Sequence, residues 1–195
     1  MPHAPILLPG VGSPEDRERA KKTIEALGKI TQELKNKKFD EIVISSPHEQ
    51  WGFDVPLHFA APRFLGEITK ILTGFESPKE YFEIGQNRAK SLDVSKNYLL
   101  IASGDLSHRL KEDGPYGFHE QGPKFDKELI ENLKKGKPEA LFDLETKYPE
   151  AGDCGLRSFC LVLGLLKASK TKIKPEILSY EGPFGVGYLV AKLLK

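Results

Sequence analysis

Two short apolar runs that stop abruptly at polar turns constrain this chain most. Residues 40–46 (DEIVISS) end at Pro47-His48, and residues 97–103 (NYLLIAS) end at Gly104-Asp105. Runs of that length, rich in branched aliphatic side chains, read as buried strands. Around them the spacing is helical. Ser13 suits an N-cap, Pro14 the first helical position, and Glu15 and Asp16 the positive end of the helix dipole. Ile24, Leu27, Ile30 and Leu34 then mark one buried face. Further helices are expected over 78–92, 124–134, 138–146 and from Asp153, the last burying Leu156, Phe159, Cys160, Leu163 and Leu166. Residues 4–8 (APILL) read as another buried strand, 173–180 as one more, and 186–194 as a closing apolar segment. Residues 51–66, with prolines at 56 and 62, read as irregular, and 112–123 as a Gly/Pro-rich loop. Strands alternating with helices predict an α/β fold: a three-layer sandwich with a central, mostly parallel or mixed sheet flanked by helices.

A length of 195 residues suits a single domain, residues 1–195. The 29 basic and 28 acidic residues nearly cancel, so no positive field argues for nucleic acid or an anionic membrane as partner. No apolar run approaches the ~20 residues of a membrane helix. MPHAPILLPG lacks the basic and long apolar regions of a secretory signal, so a cytoplasmic location is expected. Cys154 and Cys160 are too few for a disulfide scaffold or a cysteine-only zinc cluster.

Chemistry collects beyond the carboxyl ends of strands in open sheets. His48 follows the second run directly and His108 follows the third by a few residues. His3 precedes the first run, and so shares that edge only if the first strand is antiparallel to the others. Imidazole serves equally as a metal ligand and as a proton carrier. Asp105 and His108 are three residues apart. A turn there lets the carboxylate orient the ring as a general base; the alternative is that Asp105 caps the turn and His108 faces solvent. Cys154 stands at an expected helix start, where the dipole favours thiolate, or else it is a small buried residue. Cys160, six residues on, points to another face. GPFGVG (182–187) is neither a dinucleotide fingerprint nor a P-loop, and Glu181 beside it suits a surface or capping role.

Three stretches taken together carry a resemblance: PHAPILLPGVG (2–12), ASGDLSHRLKEDGPYGF (102–118), and EAGDCGLRSF (150–159) with SYEGPFGVGYLVA (179–191). They are similar to the beta-subunit (LigB-like) superfamily of class III extradiol ring-cleavage dioxygenases, in a microbial branch near Memo. The resemblance implies metal ligands at His3 and His48, and an acid/base role for His108 beside Asp105. It implies Fe(II) as cofactor and a small catechol-type aromatic and O2 as substrates, with His108 taking a phenolic proton. The third ligand is a glutamate in the true dioxygenases; the corresponding place here reads Cys154, with Asp153 and Glu150 as carboxylate alternatives. A cysteine suits zinc or copper better than iron. The alternative function is therefore a Memo-like metal-binding protein without dioxygenase activity, in a regulatory or partner-binding role. The resemblance also implies a homo-oligomer and a radical-SAM-system partner. An Asp-His-Gly motif placed by relatives between His48 and the third strand is absent, so the domain reads as shortened in its middle; His58 lies in that interval without the motif.

Overall fold

The structure is a computed structural model describing residues 1–194. Its centre is a parallel sheet of β1 (Glu41–Ser46), β2 (Glu67–Leu72) and β3 (Tyr98–Ala102) in the order β2-β1-β3. Glu41 stands opposite both Glu67 and Tyr98. A separate antiparallel pair, β4 (Glu176–Glu181) and β5 (Tyr188–Lys192), closes the chain. Helices flank the sheet, so the expected α/β sandwich is the observed one. On one side lie α2 (Lys21–Leu34), preceded by α1 (Pro14–Arg19), and α3 (Trp51–Ala60). On the other lie α4 (Pro78–Ala89), α5 (Gln121–Lys134), the short α6 (Leu144–Lys147) and α7 (Leu156–Ala168).

Local chemistry accounts for these elements. Ser13 and Ser77 each form a full capping box, with Asp16 and Glu80 as reciprocal partners, and a proline follows each cap. α2 buries Leu27 and Ile30 as its spacing predicts. Glu181 proves to be a capping group: its carboxylate accepts from the amide and hydroxyl of Thr23 at 2.7 and 2.6 Å, in the first turn of α2. Side chains of β1 alternate between the layers, Val43 toward α7 and Ile42 and Ile44 toward α2. α4 and α7 meet backbone to backbone, since a Cβ on Gly85 would overlap the Leu161 carbonyl and one on Gly164 the Phe82 carbonyl.

Three expectations are corrected. Residues 4–8 are not a strand: Pro5–Leu7 form a 3-10 turn, closed by Leu7 N–H to Ala4 O at 3.1 Å. Proline at its first position fixes φ for a turn and offers no ladder donor. Residues 51–60 are not irregular but form α3, with Pro56 inside it. The strand β2 was not anticipated, because EITKIL is mostly exposed and only Ile71 is buried.

Candidate metal centre

The 3-10 turn decides where His3 lies. With no strand at 4–8, residues 1–3 run extended beside the carboxyl end of β3, and so reach the edge where His48 and His108 already sit. Met1 N donates to Ala102 O at 2.6 Å, and the His3 amide donates to Asp105 Oδ1 at 3.2 Å. His48 follows β1 in a tight turn, its amide on Ser46 Oγ at 3.1 Å. The His3 and His48 rings meet edge to face with centroids 5.2 Å apart.

Cys154 comes from the loop before α7. Its Sγ lies 3.8 Å from His3 Nε2 and accepts from the Asp105 amide at 3.3 Å. Close glycine contact makes this possible: a Cβ on Gly104 would overlap the Gly155 backbone, and Gly155 N–H donates to Asp105 O at 3.0 Å. Ser45 and Ser158 pin the first turns of α7 to the end of β1, hydroxyl to hydroxyl at 2.7 Å. The donor atoms of His3, His48 and Cys154 fall within 4.8 Å of one another, as do those of Asp105, His108 and Cys154. His3 Nε2 is also 3.7 Å from Asp105 Oδ2.

The hydrogen bonds determine the form of His3. The Ser103 hydroxyl donates to the Gly52 carbonyl, which can only accept. Its oxygen is then an acceptor for His3 Nδ1, 3.1 Å away. His3 thus carries its proton on Nδ1 and turns the Nε2 lone pair toward His48, Asp105 and Cys154. Gly52 O is free for this contact because the residue four positions on is Pro56, which has no N–H to offer it.

Burial dominates the electrostatics. It lowers His3 to about 3, with His48 and the N-terminus adding to the effect. It also lowers His108, against the pull of Asp105. Burial raises Asp105 to about 6, and burial with Asp105 raises the Cys154 thiol well above its ordinary value. Desolvation thus outweighs the helix-terminus effect expected at Cys154. The neutral imidazoles of His3 and His108, an uncharged thiol and a raised carboxyl together form a donor set short of positive charge, which a divalent cation would satisfy. The 3.8 Å between Cys154 Sγ and His3 Nε2 is close to the ~3.6 Å separating tetrahedral zinc ligands of these types. The residues therefore fit a metal ion.

Other expected site residues lie elsewhere. Asp153 accepts from the Leu156 amide at 2.9 Å and caps α7; Glu150 is exposed, with its amide on Gln121. His58 is exposed on α3 against Phe59. The anticipated Asp105–His108 hydrogen bond is not formed: Asp105 turns to the His3 amide, and His108 Nε2 is buried with no partner, its ring stacked on Tyr116 at 5.0 Å. Asp105 is thus the carboxylate nearest the cluster, a role its spacing from His108 did not suggest.

His3, His48, Asp105 and His108 line an open cleft of about 610 Å³. Trp51, at the start of α3, and Tyr116, in the 112–123 loop, stand at its mouth; Ile6, Phe184 and Tyr188 are further walls. Behind it, Asp126 of α5 holds the 105–108 loop, accepting from the Ser107 amide at 2.8 Å and the Tyr180 hydroxyl at 2.6 Å. Burial raises its carboxyl from 3.8 to about 7. The folded protein therefore binds this proton more tightly than the unfolded chain. Its contribution to stability is greatest at low pH and is lost as pH rises from ~4 through ~7, on the order of 3–4 kcal/mol in all. Asp126→Asn is expected to remove that part of the pH dependence in urea unfolding of metal-free protein; an unchanged slope refutes the assignment.

These features define an α/β protein whose candidate site lies at the carboxyl edge of its parallel strands, where loops carrying histidine, cysteine and aspartate converge beneath an aromatic-walled cleft. A model of the family described as the catalytic LigB subunit of aromatic ring-opening dioxygenase matches residues 49–191, and the chain belongs to that family. Asp105, His108 and Cys154 fall inside the matched segment; His3 and His48 precede it. The chain is also similar to Protein CA_C1420 of Clostridium acetobutylicum, 49% identical over 146 residues, which cover 73% of this chain and 31% of that protein. The chain thus spans about a third of the length of the curated relative it matches. Among the described residues, no helix is long and apolar enough to cross a membrane.

Proposed function

We propose that the protein is a metal-dependent oxidoreductase of the extradiol-dioxygenase type, acting on a small catechol-like aromatic with O2. The observation that carries this reading is the donor cluster of His3, His48, Cys154 and Asp105, of which His3, His48 and Asp105 line a cleft walled by Trp51, Tyr116 and Phe184. His3, His48 and Cys154 would hold the ion, with Asp105 as the carboxylate alternative to the thiol. Fe(II) there would supply redox access to O2 and Lewis acidity toward the ring hydroxyls. The aromatic walls stack the ring and exclude water. His108, neutral and with Nε2 unpartnered, accepts a proton from a substrate hydroxyl at that nitrogen. Asp105, beside it, steadies the imidazolium so formed.

A second reading rests on Cys154. A thiol 3.8 Å from His3 Nε2 suits zinc or copper, and with either the protein would be a Memo-like metal-binding domain acting through partners. Under both readings we propose a single domain over residues 1–195, shortened in its middle, a cytoplasmic location, self-association, and a radical-SAM-system protein as partner. Metal analysis of purified protein, followed by a catechol and protocatechuate ring-opening assay with Fe(II) restored under O2, separates the readings. Iron-dependent turnover is expected; zinc-replete protein without turnover after iron is restored sinks the dioxygenase reading.

A further inference from the structure

β3 and β5 are each paired on one edge only among the described residues, β3 to β1 and β5 to β4. Yet their side chains alternate between the same two apolar layers. Leu100 of β3 and Leu189 of β5 pack against the α7 layer, while Ile101 and Val190 pack against the α2 layer. Strands that share both faces belong to one sheet plane. Between them runs an apolar slot of about 450 Å³, lined by β3 and β5 and by side chains of both layers. Backbone groups of β3 and β5 that face this slot have no strand partner among the described residues.

The chain already enters this slot at one end. Met1 N donates to Ala102 O, and Met1 O accepts from the Gly104 amide at 3.0 Å. That pair of bonds is the parallel ladder pattern, with Met1 opposite Ser103. The Met1 nitrogen therefore stands where the peptide nitrogen of a strand would stand. Its side chain packs on the α2 layer, in keeping with a strand position. Counting back from Gly104 N–H, the amides of Ala102 and Leu100 also face the slot, whereas Ser103 N–H faces away to Ser45 O of β1 at 2.9 Å.

We infer that the slot between β3 and β5 seats one extended segment, apolar on both faces, parallel to β3 and joined by a peptide bond to the nitrogen of Met1. Its direction follows from the Met1 ladder bonds, and its apolar character from the layers above and below. A segment matching the five residues of β3 spans ~17 Å. Seated there, it unites the two sheets in the order β2-β1-β3-segment-β5-β4, and it replaces a buried terminal amine with a peptide amide.

The test compares the chain itself with three versions extended ahead of Met1 by about six residues, enough to run the length of β3. One extension alternates valine and isoleucine, one is glycine and serine, and one is the apolar sequence interrupted by proline. With the apolar extension, amide exchange at Leu100 and Ala102 is expected to slow about tenfold or more, and the urea midpoint to rise. Leu99 and Ile101, already bonded to β1, change less. Equal exchange in the apolar and glycine-serine versions overturns the inference, as does equal protection by the proline version. Concentration-dependent protection of Leu100 and Ala102 in the unextended chain, with a dimer in sedimentation, assigns the slot to a second copy and also overturns it.

Discussion

Replacing His3 with alanine is expected to abolish stoichiometric metal binding, and replacing Ser103 with alanine to weaken it by ~10–100-fold while leaving every ligand in place. The difference between these outcomes follows from what each residue does. His3 is buried, and its Nε2 is the atom that both Cys154 Sγ and Asp105 Oδ2 approach, at 3.8 and 3.7 Å. Neither His58, exposed on α3, nor His119, whose ring binds the Gln121 amide, is placed to replace it. Ser103 contributes no donor to the ion. It accepts the Nδ1 proton and so keeps the lone pair on Nε2, and without it the ring is free to turn or to exchange tautomers. Titration against a chromophoric chelator measures both affinities, with circular dichroism and the thermal midpoint confirming that each variant folds. Parent-like affinity in His3→Ala would remove the proposed site; parent-like affinity in Ser103→Ala would remove only the role of the hydroxyl.

Gly164→Ala is expected to be among the most damaging single-methyl additions to this fold. α4 and α7 approach through paired glycines, and the added Cβ would overlap the Phe82 carbonyl, a backbone atom that cannot swing aside as a side chain would. Overpacking typically costs ~1–3 kcal/mol, and a backbone clash lies at or beyond the upper end. Against a whole-protein stability of ~5–15 kcal/mol this is a large fraction, worth a fall of ~6–12 °C in the thermal midpoint at this chain length. Gly28, by contrast, has open space where its Cβ would be, so Gly28→Ala in α2 is the matched control and should hold or raise stability. Similar midpoints for the two variants would show that the helices can separate freely.

The helices and the inner strands were legible because their signals are local. The Ser13 cap, the α2 stripe and the two β-branched runs depend only on residues a turn apart. His3, His48, His108 and Cys154 stood out through short motifs, and the fold does gather them at one edge. What escaped was information carried between segments. Pro56 reads as a helix breaker, and only the distant Ser103 hydroxyl makes its helix acceptable. Asp105 was paired with His108 by spacing, but its hydrogen bond goes to an amide more than a hundred positions earlier in the chain. Gly85 and Gly164 carry no signal in the sequence, because the need for glycine lies in the other helix's backbone. β2 carries one buried side chain, Ile71, too little for a periodic signal.

The proline of α3 sets the helix and the site in opposition. Pro56→Ala would return an N–H to the helix interior and, taken alone, improve α3. That new donor would compete for the Gly52 carbonyl on which the Ser103 hydroxyl now rests. The hydroxyl could then rotate its proton toward His3, and the ring would lose the partner that holds Nδ1 protonated. A substitution that strengthens secondary structure would thus loosen the chemistry above it. A stability optimum at this position thus lies in a different sequence from the optimum for the proposed metal centre.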